Sequence, residues 1–294
     1  MLTYIIIGLV SGVIYGLAAL GLVIIYKGSR IFNFAQGEFG TMAMYVMFML
    51  VELKGVPYFA ALPAGLITGI VLGLLTERFV ARPLAGAQKV IGLVGTAGVA
   101  LLLIGLTLVF ADPKPRSVNS PLVGVGPTIA GFTISRQQIF AIIVLLAVAG
   151  SSALFFKKTF LGMAILANSQ DSSAVRIVGA SVNRISALTW GIAGFLGALT
   201  GVVLAPDVAF YPGYMTTVVL IPAFTAGIVG GMTSLVGAFV AGQIIGLVEA
   251  MGHYLVSQYP EALKTIPEAP AFLVFVVLIL TLLVRPKGLF GSEA

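Results

Sequence analysis

The chain has 294 residues, 59% hydrophobic and 9% charged, with a net charge of +6 and no cysteine. Soluble domains carry roughly 45–50% apolar and about 25% charged residues, so this composition cannot cover a water-facing surface and describes an integral membrane protein. Disulfide and thiol chemistry are excluded, and the positive charge reads as basic loops on one side of a membrane rather than as a nucleic-acid surface.

The N-terminal MLTYIIIGLV has no basic leader and no small-residue cleavage site, so it reads as a first span and not as a signal peptide. It ends in RIFNFAQGEFG, residues 30–40, a polar break between two apolar runs. A span needs about 20 mainly apolar residues. By that rule nine segments follow in order: 2–26, 38–53, 58–76, 91–110, 139–156, 185–205, 214–230, 235–256 and 270–284. The fold class is therefore an all-α, polytopic bundle of about nine transmembrane helices (eight to ten) in a single domain, 1–294. An outer loop, 111–138, carries DPKPRSVNSP and is expected to form a small hairpin. The stretch 206–234 holds Pro206, Pro212, Gly213, Pro222, Gly230 and Gly231 and reads as broken helix. Irregular backbone at membrane depth needs cover from protein or a water-filled cavity, so this break points inward. Small-xxx-small pairs at Gly12/Gly16, Gly65/Gly69/Gly73, Gly197/Gly201 and Gly242/Gly246 predict close helix crossings.

With the N-terminus outside, eleven of the sixteen Lys and Arg residues fall in inner loops and five in outer ones. That asymmetry predicts an outside N-terminus and a cytoplasmic C-terminus.

Several functions are excluded by what is missing. There is no Gly-Lys pair and hence no Walker A loop. A single histidine, His253, rules out a multi-histidine metal site. No arginine series marks a voltage sensor, and no potassium-type filter sequence occurs. Active transport by this chain would draw on a partner or on an ion gradient.

Residues 157–184 form the longest inner loop. At 100° per residue Leu166, Ala167, Ala174, Ile177 and Val178 share one face. Asn168, Ser169, Asp171, Ser172, Ser173 and Arg176 fill the other, Gln170 interrupts the apolar side, and Gly179 ends the helix. A helix over about 160–179 either rests on lipid headgroups or docks into a groove on a cytoplasmic partner. Its nearly uncharged polar side suits a protein socket better than anionic lipid.

Individual polar residues carry paired readings. Glu38 either caps the start of span two, through the helix dipole, or forms a polar constriction at the inner mouth with Asn33 and Gln36, on a glycine-hinged turn. Glu249 lies inside a span, where an acid is costly, and is functional or paired, with His253 one turn on as a candidate partner. Thr96, Thr225 and Thr233 either line a path or bond between helices. Trp190 reads as an inner-interface anchor, and Asp207 with Tyr211 and Tyr214 as part of an outer aromatic belt.

Five stretches, in order, resemble the permease subunits of bacterial branched-chain amino acid ABC importers, the LivH/LivM-like family. NFAQGE at 33–38 is similar to the family's Asn-Phe-Ala-His-Gly-Glu, with Gln36 where His is common. ERFVARPLAG at 77–86 resembles its Glu-Arg…Arg-Pro-Leu-Arg-Gly loop, with Ala85 for the second Arg. The stretch 168–184 is similar to the family's cytoplasmic loop, VGGMTSLVGAFVAG at 229–242 to its glycine-rich segment, and RPKGLFG at 285–291 to its tail. The resemblance implies a non-catalytic subunit with a fold distantly like the vitamin B12-type importers. It implies two cytoplasmic ATPases that bind ATP and Mg²⁺, a second permease subunit or a second copy of this one, and an extracytoplasmic binding protein, in a bacterial inner membrane. It implies that Ala167, Asn168, Gln170, Asp171, Ala174, Arg176 and Gly179 meet an ATPase. Asn33, Gln36, Glu38, Thr96, Thr225 and Glu249 are then the candidates along the pathway. The solute class is an amino acid, branched-chain or other, or a small amide such as urea. A secondary transporter or passive channel for a small polar solute is the alternative.

Overall fold

The computed structural model describes residues 1–111, 113–129, 132–170, 175, 177, 181–263 and 268–291. Each of the nine expected segments is helical. In chain order these are α1 (Leu2–Ser29), α2 (Gln36–Phe48), α3 (Tyr58–Thr76), α4 (Lys89–Ala111) and α5 (Arg136–Lys158). A short α6 (Phe160–Gln170) precedes α7 (Val182–Leu204), α8 (Met215–Gly230) and α9 (Leu235–Gln258). One turn, α10 (Pro260–Leu263), leads to α11 (Ala269–Val284). Helix α2 continues as a π-helical turn, Met49–Leu53, and α3 as another, Glu77–Ala81; α8 opens with a third, Met215–Leu220. Among the described residues, six helices are long and apolar enough to cross a membrane by length and composition, whereas α8 and α11 are shorter.

The predicted glycine pairs set the crossings. Gly12 and Gly16 of α1 meet Gly242 and Gly246 of α9 backbone to backbone. Gly69 and Gly73 of α3 lie on Gly194 and the Trp190 carbonyl of α7, and Gly201 of α7 lies on Gly40 of α2. A β-carbon at these sites would collide with backbone. In lipid, where no hydrophobic force drives helices together, such close packing supplies the attraction. Helices α1, α2, α7, α8 and α9 thereby form the buried centre, and α3, α4, α5 and α11 flank it with exposed apolar side chains.

The loop between α4 and α5 carries the antiparallel hairpin β1 (Val125–Ile129) and β2 (Phe132–Ser135). It is latched down by Glu52, which accepts from the Asn119 amide N–H (2.7 Å) and side chain (2.8 Å). A two-way backbone bridge joins Arg116 to Phe210, both bonds at 2.8 Å. At the inner end of α3, Arg82 holds the buried Glu77 carboxylate in a two-pronged pair at 2.7 and 3.1 Å. Trp190 is fully buried under α3, so it is a packing residue rather than an interface anchor: the α3 glycines leave room for its backbone to come close.

Candidate functional site

Helix α1 stops at Arg30, in the left-handed conformation (φ 56°), and the chain turns back into the protein instead of leaving it. A bend buried at that depth exposes N–H and C=O groups that no water can satisfy. Side chains take them. Asn33 Oδ1 accepts from the Ala35 N–H at 3.0 Å, and Thr96 Oγ1 donates to the Phe32 carbonyl at 2.9 Å while facing the Phe34 N–H at 3.2 Å. Asn33 Nδ2 donates to Gln36 Oε1 at 3.2 Å, and Gln36 Nε2 donates to the Ala193 carbonyl at 2.7 Å.

Ala193 is the midpoint of α7, so α2 begins about halfway along its neighbour and not at an end of the bundle. The expected glycine hinge is instead the first turns of a regular helix. Gly37 and Gly40 lie within α2, and their missing side chains let the backbone approach Thr216 and Gly197. Asn33 and Gln36 are buried with both ends of each amide engaged, so in this conformation they hold the break together instead of facing open space.

Helix α8 begins at the same depth. The loop after α7 dips inward, and Met215 donates its N–H to Thr41 Oγ1 at 3.2 Å. Thr216 Oγ1 donates to Glu38 Oε1 at 2.5 Å. The Gly213 and Thr216 backbone N–H groups face the same carboxyl group. Two helix starts thus abut midway through the bundle, α2 and α8 running away from it in opposite directions. Glu38 both lies in the first turn of its own helix and caps that of α8. Its second oxygen, Oε2, is buried with no hydrogen-bond partner. The expected break at 206–234 lies at this junction, and it ends where Gly231 (φ 88°) separates α8 from α9.

One face of α8 lines a cleft of about 440 Å³ shared with Phe34 and α11. Thr225, Thr216 and Thr217 are its polar residues; Leu220, Ile221, Phe224 and Phe275 are among its apolar ones.

Glu249 lies elsewhere, in the C-terminal half of α9. The phenol of Tyr15 on α1 donates to it at 2.5 Å, and His253 is exposed one turn further out. The partner is therefore a tyrosine across the glycine-packed α1–α9 contact, which a sequence read along one helix does not reveal. Thr233 contributes its carbonyl, which accepts from Lys27 Nζ at 2.6 Å.

Beside the end of α1, α6 buries Gly162, Ile165 and Asn168 and exposes Phe160, Leu161, Met163, Ala167 and Gln170. Asn168 Nδ2 donates to the Gly28 carbonyl at the end of α1, at 3.0 Å. The wheel puts Ala167 on the apolar face and Asn168 on the polar one, yet Ala167 is exposed and Asn168 buried. Asn168 turns inward because the carbonyls ending α1 offer it a polar partner. Asp171, Ala174, Arg176 and Gly179 lie outside the described residues.

No group of three or more potential metal ligands occurs among the described residues. What the arrangement offers is a break in two helices, a buried carboxyl group at the junction and a hydroxyl-bearing cleft beside it.

Residues 4–283 match the family described as the branched-chain amino acid transport system permease component. The chain belongs to this family. Among its relatives is the high-affinity branched-chain amino acid transport system permease protein BraD of Pseudomonas aeruginosa. It is 30% identical over 97% of this chain and 94% of that protein. The corresponding permease protein LivH of Escherichia coli is 28% identical over 97% and 93%. Among solved structures, PsaBC from Streptococcus pneumoniae in complex with Fab superposes with a TM-score of 0.51 at 14% identity, covering 97% of this chain and 92% of that one; this shows a shared fold. The chain is thus a membrane permease component, a non-catalytic subunit of the ABC importer type.

Proposed function

We propose that this permease carries branched-chain amino acids across a bacterial inner membrane, driven by ATP hydrolysis on separate subunits. The observation that carries this reading is the family match along nearly the whole chain, with relatives named for branched-chain amino acid transport. Those names favour an amino acid over urea or another small amide. The absence of any Walker A loop fits a subunit that borrows its energy.

In this reading the N-terminus is outside and the C-terminus cytoplasmic. Two ATPases, holding ATP and Mg²⁺, dock on the inner side against α6, whose exposed Phe160, Leu161 and Met163 offer an apolar contact. The stretch 160–179 is the coupling segment, with Ala167, Gln170, Asp171, Ala174, Arg176 and Gly179 toward the ATPase and Asn168 toward α1. A second permease subunit, homologous or identical, completes the pathway, and an extracytoplasmic binding protein delivers the solute. The junction of α2 and α8, with Asn33, Gln36, Glu38, Thr96 and Thr225, is the part of this chain that moves as access alternates. Glu249 braces α1 on α9.

The test is expression of this chain with the genes beside it, affinity capture of the chain, and uptake of labelled leucine into vesicles. A P-loop ATPase should co-purify, and uptake should require ATP and survive a protonophore. Uptake by the chain alone, or uptake abolished by a protonophore with ATP still present, would sink this reading in favour of a channel or secondary transporter.

A further inference from the structure

Asp207 lies in a cleft of about 190 Å³ walled by α1, α5 and the end of α7. That is below the roughly 300–1,000 Å³ of sites for drug-sized ligands, so it suits a solute of few heavy atoms. Ile7, Val10, Ile14, Leu145 and Val203 make the wall aliphatic, and Ser11, Gln138 and Asp207 are its polar residues. The three lie at one level of the bundle. Helices α1 and α7 run antiparallel, with Gly28 beside Thr189 and Gly21 beside Ala193, which brings Ser11 to the last turn of α7. Gln137 donates its Nε2 to the Val203 carbonyl at 3.2 Å and so sets the first turn of α5 against that same turn. Asp207 follows at once, its N–H bonded to the Leu204 carbonyl at 2.9 Å.

Asp207 is exposed to solvent, and its carboxylate has no ion-pair or hydrogen-bond partner among the described residues. Partial burial against the aliphatic wall raises its pKa to about 6, a cost that a cation beside it would remove. Its polar neighbours are donors. Ser11 carries a half-buried hydroxyl. Gln138 uses its Oε1 to accept from the Ser135 N–H at 3.0 Å, which leaves its Nε2 hydrogens to give. One unpaired negative charge, two donors and an aliphatic wall thus stand side by side. That is the complement of a small aliphatic zwitterion, whose ammonium group, carboxylate and side chain each find a match.

We propose that this cleft is a landing site for a free branched-chain amino acid, with Asp207 receiving its α-ammonium group, Ser11 and Gln138 donating to its carboxylate, and the aliphatic wall taking its side chain. This deepens the functional reading above and rests on it. In that reading the end of the bundle that carries the hairpin is outside, where the binding protein releases the solute. A lipid headgroup with a primary ammonium group, such as phosphatidylethanolamine, shares part of this chemistry and is separated from the amino acid by the test.

The experiment places the complex of permease and ATPases in phosphatidylglycerol nanodiscs, without the binding protein, at about pH 7.5, where Asp207 is ionised. Saturation-transfer NMR follows three probes: leucine, isoamylamine, which lacks the carboxylate, and isocaproate, which lacks the ammonium group. The wild type should bind leucine and isoamylamine but not isocaproate. Asp207→Asn should weaken both bound probes at least tenfold and slow leucine uptake in the assay above, with its melting temperature undiminished because no partner is lost. Ser11→Ala should weaken leucine severalfold and leave isoamylamine unchanged. Gln138 is left intact because it also caps α5. Wild-type leucine binding or uptake by Asp207→Asn overturns the proposal, and so does isocaproate binding as well as leucine. A lower melting temperature of Asp207→Asn would make the residue structural and overturns it too. Displacement of leucine by added phosphatidylethanolamine assigns the cleft to lipid and overturns it likewise. All four leave the functional reading standing. If the wild-type complex takes up no branched-chain amino acid, the functional reading falls and this proposal with it.

Discussion

Glu38 and Thr216 lie 178 positions apart in the chain, and their side-chain oxygens are 2.5 Å apart. This contact joins the starts of two helices inside the membrane, where an unmade hydrogen bond is not replaced by water. Removing one partner should strand the other. Glu38→Ala and Thr216→Val should each cost about 1–3 kcal/mol of stability. The double variant should cost little more than either alone, which thermal unfolding of the detergent-solubilised protein can measure as a double-mutant cycle. Strict additivity would show that the contact carries no energy. Glu38→Gln keeps an acceptor for Thr216 and separates cap from gate: unchanged transport with slightly lower stability identifies a cap, and slowed transport a gate.

Tyr15→Phe should destabilise the protein by about 1–3 kcal/mol, because it leaves the Glu249 carboxyl group between α1 and α9 without its donor. Pairing it with Glu249→Leu should restore most of the loss, since two apolar groups of similar shape need no hydrogen bond. A double variant less stable than Tyr15→Phe would contradict this.

Asp207 sits just beyond α7, in a cleft with Ser11 and Gln138, and partial burial raises its carboxyl pKa to about 6. The folded state therefore holds this proton more tightly than the unfolded chain, whose aspartates titrate near pH 3.9. Stability from this site is full below about pH 4 and is lost as pH rises through about 6. The melting temperature should fall over that interval, modestly because the side chain is partly open to water, and Asp207→Asn should flatten the profile. Identical profiles for the two proteins would remove Asp207 from the account.

Asn168→Leu cuts the 3.0 Å hydrogen bond between α6 and the end of α1. If α6 is the coupling segment, the assembled complex should still hydrolyse ATP while leucine transport per ATP falls severalfold. Gln170→Ala, at an exposed position of the same helix, should instead weaken ATPase attachment, read as reduced co-purification. Normal coupling in both variants would place the ATPase contact elsewhere.

Gly69→Val would drive a branched side chain into the Gly194 carbonyl and Ala198, where α3 and α7 touch. It should abolish the folded protein in the membrane, whereas Gly98→Val, facing open space on α4, should be tolerated. Equal expression of both would refute the role given to these glycines.

The nine helical segments, the broken stretch around 206–234 and the helix-packing glycines were legible in the sequence because each is a local property. A span is written in the hydropathy of about 20 consecutive residues, and a tight crossing in glycines one turn apart. The family was legible too, since its motifs are short and ordered. Depth and partnership were not. RIFNFAQGEFG reads as a loop at the membrane edge, yet α7 and α4 draw it to mid-depth, because Ala193 and Thr96 can satisfy its backbone and side-chain amides there. Glu249 gave no hint of Tyr15, which is 234 residues away. A helical wheel for α6 could not know that the end of α1 would offer its carbonyl to Asn168. Hydrophobicity is a property a segment carries alone and so can be read from it; a hydrogen bond inside a membrane belongs to two segments, and only the tertiary structure decides which two.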